Sequence, residues 1–228
     1  MKESLGPNGE QLPIGKSIDR LLVYFEQESG LRFERRQLPW NRAQLMAREG
    51  EGIIYGFSKS PQRLQIYHFS LPVVTGKVWV ISYGEPAPVF LSAQDLKGKV
   101  LSIGRGFSHG MEFEKAKNVL FTVQEDSASE AARFKKLVAK HSEVMLWQSR
   151  DLDTAEQVSL YIQKTLIPSF NDAQLRDKVF NVSIQPMFYD SMHFASAKGK
   201  YEAEMAILDQ VIRRGVKNGS LAKALHPN

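Results

Sequence analysis

The chain has 228 residues, 43% of them hydrophobic and 24% charged, and carries a net charge of +5, the composition of a soluble globular protein. That length serves one large domain or two lobes of roughly a hundred residues each, and the absence of cysteine excludes thiol catalysis, thiolate metal sites and disulfides. Basic residues are scattered, densest at Arg32, Arg35, Arg36 and at Arg213, Arg214; without a basic stripe interleaved with aromatics, no nucleic-acid partner is expected.

The first fifteen residues are polar and rich in glycine and proline, with a turn at Pro7-Asn8-Gly9, so no secretory signal is read in them. No run approaches the roughly 18 apolar residues of a membrane helix. Ser17 to Ser29 carries Ile18, Leu21, Leu22 and Phe25 at helical spacing and stops at Gly30. Leu31 to Gln37 alternates as a strand. Pro39-Trp40-Asn41 turns the chain, with Asn41 expected to cap a helix ending near Gly50. Ile53 to Phe57 is the next strand. Ser60 before Pro61 then starts a helix, because a proline at the first helical position gives up an N–H that has no partner there.

Arg63 falls in that helix's first turn, where the dipole disfavours a cation unless an anion is near. The Ser58 hydroxyl, the helix N–H groups and a guanidinium together suit a carboxylate; a surface arginine paired with a neighbouring glutamate is the plainer alternative. Leu71 to Ser82 reads as a strand pair or one strand broken at Gly76, ending in the Tyr83-Gly84-Glu85-Pro86 crossover. Val100 to Ile103 is a strand feeding the glycine-rich turn Gly104-Arg105-Gly106-Phe107-Ser108-His109-Gly110, which opens a helix from Met111 to Lys117.

Val119 to Val123 is a strand, and Ser127 with Glu130 forms a capping box for a helix to Lys140. Val144 to Trp147 is a buried strand. Thr154 with Gln157 makes a second box, opening a helix that turns Val158, Tyr161 and Ile162 inward. Phe180 to Ile184 and Met192 to Ala195 are strands around a return crossover at Gln185 to Asp190. A long helix, Tyr201 to Val216, precedes Asn218-Gly219 and a short helix from Ser220. Strands alternating with helices argue an α/β fold with largely parallel sheets.

The ordered set PWNRA, FSKSPQR with YHFSLPV behind it, DLKGKVLSIGRGFSHG and KNGSLAKAL resembles the type II periplasmic solute-binding proteins, within them the polar amino acid-binding group that serves ABC importers. The resemblance runs from about residue 13 to residue 225. It implies two lobes, residues 1–84 with 190–228 and residues 85–189, each a mainly parallel sheet with helices on both faces, joined by two crossovers. It further implies a small polar solute, amino acid-like or carboxylate-bearing, bound in the interlobe cleft for uptake, periplasmic location and membrane importer subunits as partners. No catalysis and no cofactor are implied.

Position by position, Ser58 and Arg63 match residues that hold the ligand carboxylate, and Gly56 matches a backbone carbonyl offered to its amine. Phe107, Ser108 and His109 match the second-lobe turn that closes on the carboxylate. Gln148 stands where the family usually places an acid, with Glu143 and Asp151 out of register, so the charge for a ligand ammonium is lacking there. Trp40 and Tyr189, with Tyr55, are candidates to flank a ligand side chain. The family also begins with a central strand ahead of the Pro-Asn-Gly turn, and none precedes Met1. A first sheet without it leaves ladder groups open, and another chain supplying that strand would be a route to self-association.

Two sharper readings compete. Gly106-Phe107-Ser108-His109-Gly110 is also G-x-S-x-G, the nucleophile elbow of α/β-hydrolases. Asp151, Asp153 or Asp172 followed by His193 or His226 would give the chain order, but no HGGG-type oxyanion segment accompanies it. A ligand-sensing module of a signalling system keeps the binding fold with another output. The five histidines show no i, i+4 pair, so no metal site is expected.

Overall fold

Helix α1 (Lys16–Ser29) forms where the apolar residues recur every three or four positions, burying Leu21, Leu22 and Phe25, and it ends at Gly30 in the left-handed region. The computed structural model describes residues 1, 4–5, 11–85, 87–126 and 129–225. The Pro7-Asn8-Gly9 turn, Pro86, the Ser127 capping box and His226 lie outside them. Two-residue strands β1 (Ser4–Leu5) and β2 (Gln11–Leu12) come before α1. The chain divides into two units: Met1–Ser4, Gln11–Val74 and Ser191–Asn228, and Leu5–Glu10 with Thr75–Asp190.

In the first unit α1 is followed by α2 (Trp40–Arg48), β3 (Ile54–Ser58), α3 (Pro61–Ile66) and β4 (Tyr67–Phe69). Asn41 is not the cap of α2. Pro39 takes the cap position with φ −47°, so the first turn begins at Trp40 and Asn41 lies inside it. Residues 31–37 do not form a ladder strand, because among the described residues only Met1 pairs with them as a strand neighbour would, at Arg36 and Leu38. The closing helices α8 (Glu202–Asn218) and α9 (Ser220–Leu225) pack with α1. Phe25, Phe194, Met205, Leu208 and Val211 are the centre of the resulting core, each no more than 3% exposed.

The second unit holds β5 (Val74–Tyr83), β6 (Val100–Gly104), α4 (Met111–Ala116), β7 (Thr122–Asp126), α5 (Glu130–Val138) and β8 (Val144–Ser149). Then come α6 (Ala155–Tyr161), which runs through one wide turn into α7 (Ile167–Ser169), then β9 (Phe180–Val182) and β10 (Phe188–Ala197). Strand β6 pairs in parallel with β7 and β8, whereas β5 runs antiparallel to β8 and β9. In the first unit β10 runs antiparallel to β3 and β4. Pairing in the second unit is therefore mixed, and β10 with β3 and β4 in the first is antiparallel, rather than mainly parallel. The long strands β5 and β10 carry the chain from one unit to the other.

Several boundaries move for local reasons. β5 continues through Gly76 without a break, and the Gln148 side chain lies over that α-carbon, leaving no room for a Cβ. β10 is one strand from Phe188, not a short one after a loop. The strand expected at Val119 starts at Thr122, and Val119 itself is 77% exposed. Ser129 caps α5, its hydroxyl accepting from the Ala132 N–H. Tyr161 leans on Trp147 at 5.8 Å and stays at the surface, while Val158 and Ile162 are buried.

Candidate functional site

In the first unit the expected residues gather at the carboxyl end of β3. The register of β3 against β10 shifts opposite His193 and Phe194, and the extra residue, Gly56, has φ +80°. A bulge of that kind re-aims the backbone and needs a residue without Cβ, so the Gly56 carbonyl is turned by the fold itself. Ser58 is buried at the strand end, and Ser60 caps α3 by accepting from the Arg63 N–H at 3.2 Å.

Arg63 is half-buried and held from several sides. Its Nη1 donates to the Ser58 carbonyl at 2.9 Å and its Nη2 to Gln44 Oε1 at 3.3 Å. The guanidinium carbon stands 4.0 Å from the centre of the Phe57 ring, a cation–π contact that fixes the plane. Trp40 meets the other side of this arrangement edge-on, 5.7 Å from Phe57. Ser58, Gly56, Arg63 and Trp40 thus share one corner of the unit. Gln44 of α2 is a member of this corner that the sequence reading missed. Its helical spacing from Trp40 is the signal, since i and i+4 share a helix face.

In the second unit the glycine turn leaves β6 and is tied down by Arg105 N–H to the Asp126 carbonyl and Gly106 N–H to Glu125 Oε2, both at 3.0 Å. The Phe107 N–H closes on the Gly104 carbonyl at 3.0 Å, and the Phe107 ring folds back so that a Cβ at Gly104 would stand 3.2 Å from it. Ser108 and His109 are buried, and His109 packs edge-on against Phe113 at 5.2 Å. Gly110, at φ +90°, lets the turn approach β10: a Cβ there would lie 3.0 Å from the Tyr189 carbonyl and 3.2 Å from Asp190 Oδ1.

Gln148 donates from Nε2 to Asp190 Oδ2 at 3.3 Å. Asp190, 1% exposed, is the residue in this unit that the sequence reading passed over. It alternates with Tyr189, which is 60% exposed, and that period of two was the available signal. Glu143 is taken up by Lys99 at 2.8 Å. A second buried carboxylate, Asp126, accepts from the Ser102 hydroxyl and pairs with Lys136.

The hydrolase geometry does not form. Among the described residues positive φ outside glycine falls at Asn118, Lys140, Asn171 and Tyr201, not at Ser108, whereas the elbow is a strained turn at the nucleophile. Asp153 pairs with Lys77, and Asp172 with Lys135 at 2.6 Å. His193 commits Nδ1 to the Ser70 carbonyl at 2.7 Å. Among the described residues no group of three or more histidine and acidic side chains could hold a metal ion, and no helix is long and apolar enough to cross a membrane.

No family model matches the chain, and no curated protein matches it. Solved structures do. One is an amino acid ABC transporter substrate-binding protein, AbpA from Streptococcus pneumoniae, bound to L-arginine: TM-score 0.65, 16% identity, 96% of this chain and 84% of that one. An ancestral arginine-binding protein bound to arginine gives 0.67 at 17% identity over 97% and 90%. The GluR0 ligand-binding core with L-glutamate gives 0.68 at 17% identity over 99% and 96%. The chain has the fold of these proteins.

Proposed function

We propose that the chain is a non-catalytic solute-binding protein for ABC-type uptake, acting in the periplasm with membrane importer subunits, and that its solute is a small amino acid-like or carboxylate-bearing molecule. The observation that carries the reading is the fixed guanidinium of Arg63. A bidentate cation held by an aromatic face, a backbone carbonyl and an amide is arranged for a planar anion. The fold supports it, since the similar structures hold arginine, glutamine or glutamate. Ser58, whose carbonyl accepts from Arg63, and the Gly56 carbonyl have the polarity that a carboxylate and an amine ask for. In the second unit the Ser108 turn and Gln148 with Asp190 are the groups proposed to take part.

Calorimetric titration with arginine, glutamine and glutamate tests it. One of them should bind, and Arg63→Ala should weaken that binding at least tenfold, because truncating one side of a desolvated ion pair costs about 2–5 kcal/mol. Equal affinity in the variant would remove Arg63 from the site.

A further inference from the structure

β7 is the terminal strand of its sheet, so among the described residues its outer edge pairs with no strand. The chain enters it from Phe121, which is buried against Phe113 and Phe188. Along the strand Thr122, Gln124 and Glu125 are exposed, Val123 is half-buried and Asp126 alone is buried. One end of β7 is thus anchored by an aromatic ring and the other by a carboxylate.

That carboxylate reaches two elements. Its Oδ2 accepts from the buried Ser102 hydroxyl of β6, and its Oδ1 pairs with Lys136 Nζ of α5. Three residues earlier on the same face of α5, buried Arg133 donates from Nη1 to the Leu146 carbonyl of β8 at 3.0 Å. Burial lowers the Arg133 pKa, and the carboxylates of Glu130 and Asp126 oppose that. Helix α5 therefore grips β7 and β8 through charged groups. A desolvated pair adds little net stability, since the cost of taking both ions from water offsets their attraction. What it does supply is direction: bonds with preferred angles locate a group where apolar contact, which has none, does not.

The glycine turn rests on this strand end. Arg105 N–H donates to the Asp126 carbonyl and Gly106 N–H to Glu125 Oε2, both at 3.0 Å. We propose that Asp126 is a positioning residue for the solute site: its carboxylate, clamped between Ser102 and Lys136, sets where the turn 104–110 stands and, through the turn, how tightly solute is held. This rests on the reading of the Ser108 turn as part of that site. Asp126 touches no solute itself; it acts through the backbone that carries Ser108.

Two double variants test it. Asp126→Leu with Lys136→Met keeps the space filled and strands neither charge of the pair. Asp126→Asn with Lys136→Gln keeps both hydrogen bonds without charge. Both should unfold in urea cooperatively. Amide exchange of Arg105 and Gly106, read without solute, should be about tenfold faster in the apolar variant, the order of one lost hydrogen bond, and close to the original in the amide variant. Calorimetric affinity for whichever of arginine, glutamine and glutamate the protein binds should divide the same way, about tenfold weaker in the apolar variant. Should that variant lose cooperativity, Ser102→Ala carries the test, with both readouts moved in the same direction by a smaller factor. Unchanged exchange, faster exchange with undiminished affinity, or equal losses in the apolar and amide variants would each overturn the proposal. Binding of none of the three amino acids by the unaltered protein would instead remove the solute reading, and the exchange rates would still uphold or overturn the hold of Asp126 on the turn.

Discussion

His193 sits buried on β10 with Nδ1 on the Ser70 carbonyl and its ring edge-on to Phe69 at 5.7 Å. Burial is the chief cause that lowers its pKa below the ordinary 6.5. Lys59 acts the same way, while the Ser70 and Leu71 backbone and Asp209 oppose it. The folded state therefore resists a proton that the unfolded chain accepts. Its contribution is whole above the unfolded value and is lost as pH falls through that value toward the lower folded one. Melting temperature should drop between about pH 7.5 and 5.5, and His193→Gln should flatten that part of the profile. A slope unchanged in the variant would assign the loss to other groups. At this scale the sequence was informative where chemistry is local. Ser60, Pro61 and Arg63 could be placed together because a cap, a proline and a first turn lie within four residues. Asp190 could not be placed, since its neighbour Gln148 is 42 residues away and only the pairing of β10 and β8 with their own partners brings the two side chains into contact.

Among the elements, helices were legible to within a residue or two where a cap or a stop marks them. Thr154 and Gln157 form the reciprocal box in full, Thr154 Oγ1 accepting from the Gln157 N–H at 3.2 Å and Gln157 Oε1 from the Thr154 N–H at 3.2 Å. Thr154→Ala should lower stability by about 0.5–2 kcal/mol, read as the shift of the urea midpoint at constant slope. A loss below the error of that measurement would mean that packing of Val158 and Ile162, not the cap, holds α6. Strands were harder. Residues 31–37 have the alternation of a strand but form none, and β5 reads through a glycine that suggested a break. A strand is defined by its partner, and a partner's distance in sequence is not written in the pattern of either.

Across the whole chain, apolar side chains separate into clusters that belong to different units, Ile162 with Trp79 and Phe134, and Ile212 with Leu21 and Phe25. Ile162→Val and Ile212→Val should each destabilise by about 0.5–1.5 kcal/mol. Since the two clusters share no residue, the double variant should equal the sum to within roughly 0.5 kcal/mol. Denaturant unfolding of the four proteins checks this, and a larger discrepancy would show coupling between the clusters. Composition and the order of motifs were sufficient for the α/β class and for a likeness that the solved structures share as a fold. The local chemistry of the Ser60 cap and the glycine turn was likewise written in short runs of residues, because caps and positive-φ turns are satisfied within a few bonds of themselves. The direction of the strands, the reach of Gln44 to the Arg63 guanidinium and the Gln148–Asp190 contact were decided only by tertiary structure. Each depends on groups brought together across long stretches of chain, where packing and hydrogen bonding choose the neighbour and local propensity does not.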